Sequence, residues 1–283
     1  MNRYFLFAIL TTLLLASCQK SEAPAPKPQP KQEKPFSPVS IPEPVAEPVV
    51  STQKKVTVRN GSELIKAIAS HSHIYIESAD TIDLYKVLHP RKPSQRLTIE
   101  NIEDMTLEGH GCTIYSSQSD EYAQLIKFSN CRDITITGLN FTARRKESPA
   151  NVRPEKLLRF ENCRQVLIRD CDFYGQHNSG IEMRDCDSIH MDQVHIRYCA
   201  EYALMATRTT HCLLEYCIID HNEFAAWSSG NDLCYEFNDC KFFGHKSYLL
   251  RCAARLNHCT IRHKEKEICN PKKVELINCT ITD

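Results

Sequence analysis

Between residues 134 and 281 one arrangement of apolar positions returns seven times: apolar-x-apolar, two intervening residues, then Leu, Cys or Val, x, apolar. It reads Ile134/Ile136/Leu139/Phe141, Val166/Ile168/Cys171/Phe173 and Ile189/Met191/Val194/Ile196, then Cys212/Leu214/Cys217/Ile219 and Tyr235/Phe237/Cys240/Phe242. Ala254/Leu256/Cys259/Ile261 and Val274/Leu276/Cys279/Ile281 complete the series. Counted on the third member, the steps are 32, 23, 23, 23, 19 and 20 residues. A period of that length describes stacked coils, each too small to bury its own apolar face and completed by its neighbours.

The alternation within a coil has period two, which predicts strands. Val166 and Ile168 share a face, Arg169-Asp170 bend the chain, and Cys171-Asp172-Phe173 resumes the alternation. An earlier strand precedes each pair, as in Leu125–Phe128, Leu158/Phe160, Ile181/Met183 and Leu204/Ala206. Asn130-Cys131, Asn162-Cys163 and Asp185-Cys186 mark the turn after it, where a short polar side chain can bond the backbone. Three strands and three bends make a triangular coil, and about eight such coils in parallel make an all-β solenoid, a parallel β-helix over residues 51–283. The leucine-rich repeat overlaps part of the signature. It would spend the rest of each repeat on a helix or a convex segment, whereas Gly180-Ile181-Glu182-Met183 reads as a strand.

A solenoid needs its end covered. Asn60-Gly61-Ser62-Glu63 has capping-box spacing, and Leu64–Ala69 follows as a short amphipathic helix before a strand from His73 to Glu77. Next come Leu97-Thr98-Ile99 and the stretch Met105-Thr106-Leu107-Glu108-Gly109-His110-Gly111-Cys112-Thr113-Ile114. With these residues the chain resembles the pectate-lyase-like right-handed parallel β-helix superfamily over about residues 56–283. The resemblance implies a fold. It leaves activity open, because that superfamily holds lyases, hydrolases, epimerases and proteins without known catalysis.

The N-terminus changes the picture of where the solenoid works. Arg3 precedes an apolar run, Tyr4 to Leu15, too short for a membrane-spanning helix. Leu15-Ala16-Ser17-Cys18 resembles a bacterial lipobox, with residues 1–17 as signal peptide and Cys18 as the acylated first residue of the mature chain. Multiple acyl chains would anchor it stably, making membrane lipid a partner through Cys18. Gln19 in place of an aspartate points to the outer membrane, facing the periplasm or the cell surface. Nine of the fourteen prolines fall in residues 19–50, so residues 18–50 read as an extended tether. At about 3.1 Å per residue it reaches on the order of 100 Å. Net charge is zero, which gives no electrostatic case for nucleic acid, and a monomer is expected.

After Cys18 there are fourteen cysteines. Cys217, Cys240, Cys259 and Cys279 form one inward column, while Cys131, Cys163 and Cys186 recur eight positions before the third member of the pattern. Stacked, parallel Cβ vectors make poor disulfides, so mostly buried thiols are expected. No C-x-x-C pair indicates a metal site.

Candidate chemistry follows from the register. Lys127, Ser129, Arg159, Glu161, Glu182, Arg184, Met205 and Thr207 point outward from the first strands, with Arg159 stacking on Glu182 and Glu161 on Arg184. In family members acting on uronate polymers the matching sheet often carries the active site. That resemblance implies Arg159 and Arg184 against a substrate carboxylate, Lys127 as base, and Glu161 and Glu182 as ligands of Ca²⁺ in the lyase case alone. Equally, opposite charges stacked across coils are an ordinary covering for an exposed sheet. A second outward group pairs the columns Asp172/His195/Lys241 and Tyr174/Arg197/Asp220, mixing acid, base and aromatic as a sugar groove does, though Ile218 and Phe243 interrupt it. The long step inserts Arg144-Arg145-Lys146 through Lys156, a basic segment expected to overhang the binding face and suit an anionic polysaccharide. His177-Asn178, Glu201 and His221-Asn222 are expected at the approach to the first sheet, with Trp227 inward in line with Ile181 and Leu204. No G-x-S-x-G elbow, P-loop or H-E-x-x-H occurs. Three readings remain: an envelope-tethered glycan binder, a uronate lyase or epimerase, and a structural or adhesive module.

Overall fold

Each coil turns on residues with left-handed backbone. The computed structural model describes residues 53–77, 81–88, 97–117, 125–143, 156–175, 179–229, 233–263, 268 and 274–282. Asn130, Asn162, Asp185 and Arg208 follow the first strand of successive coils with φ of 55°, 52°, 54° and 47°. Asp170, Gln193, Tyr216 and Asp239 do the same after the second strand. Asn and Asp tolerate this region because their short polar side chains bond locally. Asn162 Nδ2 donates to Asn130 Oδ1 at 2.8 Å, so the corners are linked from coil to coil.

The strands between these corners pair in parallel. First strands build a seven-stranded sheet from Leu97–Glu100, Ile126–Ser129, Lys156–Glu161, Ser179–Arg184, Tyr202–Thr207, Phe224–Ser228 and Leu250–Arg251. Second and third strands stack in the other sheet, where Val166 faces Ile189 and Ile189 faces Cys212. This is a right-handed parallel β-helix. Its interior is a set of side-chain columns: Phe128 stacks on Phe160 at 5.0 Å and Phe141 on Phe173 at 4.9 Å. Leu139, Cys171, Val194, Cys217, Cys240 and Cys259 are all buried, as the repeat requires.

At the N-terminal end a helix, α1 (Gly61–Ala67), is capped by Asn60, whose side chain accepts the Glu63 N–H at 3.0 Å. Glu63 Oε2 in turn accepts the Arg59 N–H at 2.8 Å, closing the box one residue earlier than the simplest form. A second short helix, α2 (Leu84–Leu88), was not foreseen; Gly61 lies against its Val87 with no room for a side chain.

None of the thirteen described cysteines is in a disulfide, and twelve are buried. Burial pushes the Cys171 thiol up to about 12, and the Cys199 thiol also rises through burial. Such thiols pack as small hydrophobes and make weak nucleophiles. Residues 1–52, with Cys18 and the tether, lie outside the described residues, as do Arg144, Arg145, Lys146, His177 and Asn178.

Candidate functional site

The outer face of the seven-stranded sheet carries the stacked charges in the expected register. Lys127 pairs with Arg159, Arg159 with Glu182 and Glu182 with Met205; beside them Glu161 pairs with Arg184 and Arg184 with Thr207. The ion pairs run along and across these columns. Lys127 Nζ lies 2.6 Å from Glu161 Oε2, and Arg159 reaches Glu161 at 3.7 Å and Glu182 at 3.6 Å. Arg184 reaches Glu182 within its own strand at 3.2 Å. The hydrogen bond from Lys127 holds the Glu161 carboxyl below the usual carboxylate range, with Arg159 and Arg184 adding to it against the cost of burial.

Glu182 is the centre of this network, its side chain only 7% exposed. A carboxylate so sheltered persists because two guanidiniums flank it. Arg159 Nε and Arg184 Nε are nevertheless buried without a hydrogen-bond partner, as is Ser179 Oγ. Buried unpaired donors are uncommon in folded proteins. Their burial keeps water from them as well.

Trp227 corrects the expected register. Leu204 pairs with Ala226, so Trp227 pairs with Met205 and then with Arg251, in the outward column headed by Lys127 and Arg159. The step from Leu204 to its partner is one residue shorter than the repeat of 23, and a one-residue slip moves a side chain to the other face. The same slip brings out an aromatic group that the sequence reading missed. Tyr202 stacks on Phe224 at 4.9 Å and lies 6.2 Å from Trp227. Arg251 packs its guanidinium over Phe224 at 5.2 Å and donates to the Tyr202 hydroxyl at 2.9 Å. Going up the face, charged rungs therefore give way to aromatic rungs topped by an arginine.

The third strands hold the second predicted group, more tightly knit than expected. Arg197 donates to Asp172 Oδ2 at 3.0 Å. His195 sits between Asp172 and Asp220, 3.4 Å from the first and 2.6 Å from the second. Asp220 is buried and also holds His221 Nδ1 at 2.6 Å. The bond to Asp172, aided by Asp220, raises His195 above its ordinary value in spite of burial. Burial opposes ionisation of Asp172, but the bond from His195 and the charge of Arg197 outweigh it and lower its carboxyl. His221 thus belongs to this face, not to the approach to the first sheet. Asn222 is likewise no surface residue: fully buried, it accepts the Cys199 N–H at 2.7 Å and donates to the Ile196 carbonyl at 3.1 Å.

No group of three or more His, Cys, Asp or Glu among the described residues could hold a metal ion. Glu161 and Glu182, the pair considered for Ca²⁺, are both engaged by cationic side chains. Lys127, considered as a base, has its ammonium in an ion pair.

Comparison with known proteins bears on the fold that carries these residues. The family described as "Right handed beta helix region" matches residues 98–265. A pectate lyase from Paenibacillus sp. 0602 superposes with a TM-score of 0.53 at 9% identity, covering 82% of this chain and 78% of that one. A pectin methylesterase from Aspergillus niger superposes with a TM-score of 0.50 at 13% identity, covering 82% and 86%. At these identities the likeness is one of fold. No curated protein matches the chain by sequence.

Proposed function

Because the chain belongs to the right-handed β-helix family, we propose that it binds an anionic polysaccharide on its seven-stranded sheet, tethered to the bacterial envelope through an acylated Cys18. The observation that carries this reading is the continuity of one outward column. It runs from Lys127 and Arg159 through Glu182 and Met205 to Trp227 and Arg251, with Tyr202 and Phe224 beside its upper end. A polysaccharide offers carboxylates to arginines and apolar ring faces to aromatics. A column of rungs about 4.8 Å apart presents both along a line.

Affinity electrophoresis in gels containing polygalacturonate, alginate or neutral dextran tests it. The protein should be retarded by the acidic polymers and pass freely through dextran. Trp227→Ala with Arg251→Ala should lose most of the retardation. Equal mobility in all three gels overturns the proposal.

A lyase or epimerase on this face would need a base beside the substrate's carboxylate, and Lys127 is occupied by Glu161. Binding without cleavage therefore fits this face better, and unsaturated-product absorbance on any uronate polymer would overturn it.

A further inference from the structure

The third-strand face carries a cavity that the charged sheet does not explain. It has a volume of about 490 Å³, opens to solvent, and is lined by Lys241, Phe242, Phe243, Thr260, Arg262 and Thr282. Lys241 pairs with Thr260 and Phe243 with Arg262, so the two cations stand diagonally on neighbouring rungs, with Phe243 next to each. Lys241 and Arg262 are exposed, and neither has a carboxylate partner among the described residues. Lower on the same face, among the described residues, the charges are paired. Asp172 is held by Arg197 and His195, and Asp220 by His195 and His221. The surplus positive charge of this face is therefore concentrated at the cavity.

The closed network below also braces the cavity's floor. His221 is fixed by Asp220 at 2.6 Å and meets Phe243 edge-to-face at 5.7 Å. Gly244, with φ of 68°, lies so close to the His221 ring that a Cβ would stand 2.7 Å from its Cδ2. The Phe243 ring is thus set in place before any ligand arrives, which lowers the ordering cost of binding.

We propose that this cavity is a second saccharide site, independent of the seven-stranded sheet, that takes an acidic sugar residue. The sugar's apolar face lies on Phe243, its anionic group is held by Lys241 and Arg262, and its hydroxyls meet Thr260 and Thr282. Carboxylated and sulfated sugars share the required chemistry. His221 and Asp220 act as positioning residues for the ring.

Calorimetric titration of the full chain with a short oligogalacturonate, and separately with a heparin-derived tetrasaccharide of similar length, tests the assignment. At least one of these should bind the wild-type protein at two sites per chain. Lys241→Ala with Arg262→Ala should remove one site, and Phe243→Ala should weaken that site about tenfold, the loss of roughly one charge-assisted or stacking contact. Trp227→Ala with Arg251→Ala should remove the other site and leave this one in place. Thermal unfolding of each variant checks that the fold survives. Two-site binding that persists in the folded Lys241/Arg262 variant overturns the proposal, as does a wild-type protein with a single site abolished by the Trp227/Arg251 change. That last result would leave the binding reading of the first sheet standing. A single site lost only with Lys241 and Arg262 would support this cavity and sink the other reading.

Discussion

His245 should make the fold acid-sensitive in a window that its surroundings define. It lies inside the third turn, 8% exposed, with Nε2–H donating to the Ile219 carbonyl at 2.9 Å. Its Nδ1 is buried without a hydrogen-bond partner, which disfavours a second proton on the ring. Burial pushes it down to about 4, the nearby His263 contributing in the same direction and the backbone of Ile219 and Asn222, with Asp220, opposing. In an unfolded chain a histidine titrates near 6.5. As pH falls below that value the unfolded state takes up the proton first. The stability attached to the neutral ring is therefore whole above about 6.5 and drains away as pH approaches 4. At 1.36 kcal/mol per pH unit the difference amounts to about 3 kcal/mol. His245→Gln keeps an N–H for Ile219 and removes the titration. Urea unfolding of wild type and variant at about pH 7 and about pH 4 isolates the effect from the carboxylates, which titrate in both proteins. Wild type should lose about 3 kcal/mol more than the variant between the two conditions. Equal losses would mean that His245 takes its proton as readily in the fold as in water, so that burial does not hold the ring neutral.

Other expectations are more local. Glu182→Ala leaves Arg159 and Arg184 facing each other without their shared carboxylate and should cost about 1–3 kcal/mol in urea unfolding at unchanged m-value. Arg184→Ala, at a side chain 38% exposed, should cost less than about 1 kcal/mol, and the reverse ranking would refute the central role given to Glu182. His195 should titrate above 6.5 by NMR and fall back toward that value in Asp172→Asn. Its contribution to stability is then whole below 6.5 and lost as pH rises through the raised value; a midpoint at or below 6.5 contradicts the geometry. Thiol reagent should find the native protein nearly silent, then react with at least thirteen cysteines once it is denatured without reductant. A smaller count would reveal disulfides that the stacked arrangement disfavours.

The repeat made the architecture legible because a coil's inward positions must all be apolar. Ile134, Val166, Ile189 and Cys212 lie in one column as their spacing predicts. Opposed charges are legible by the same logic, since Arg159 and Glu182 are fixed once the strand register is known. The aromatic rungs were not, for a physical reason: a coil can shorten by one residue at a turn without changing its strands, and Trp227 lies just beyond such a turn. Polar residues inside the turns were equally hidden. Asn222 bonds the Ile196 carbonyl, and His245, 23 residues later, bonds that of Ile219, so one interior job passes between two unlike side chains. Only the position relative to the coil marks either as internal. Cys199 stands one coil earlier in the same column and is buried too, which in hindsight signals an inward slot.

The ion pairs of the seven-stranded sheet decide where on it a polyanion would gain most. A ligand carboxylate arriving at Arg159 or Arg184 must share those guanidiniums with Glu182, which already stands 3.6 Å from one and 3.2 Å from the other. Attraction there is offset by repulsion from a carboxylate held in a sheltered position, so these rungs select for spacing and contribute little net affinity. Arg251 differs. Among the described residues its partners are the Tyr202 hydroxyl and the Phe224 ring, neither of which carries charge. A carboxylate can therefore meet its guanidinium without displacing another anion, beside rings already stacked to receive a sugar. Affinity should concentrate at Trp227 and Arg251. In gels of rising salt, Arg251→Ala should lower retardation more than Arg184→Ala at every ionic strength, and the opposite order would shift the centre of binding to the charged rungs.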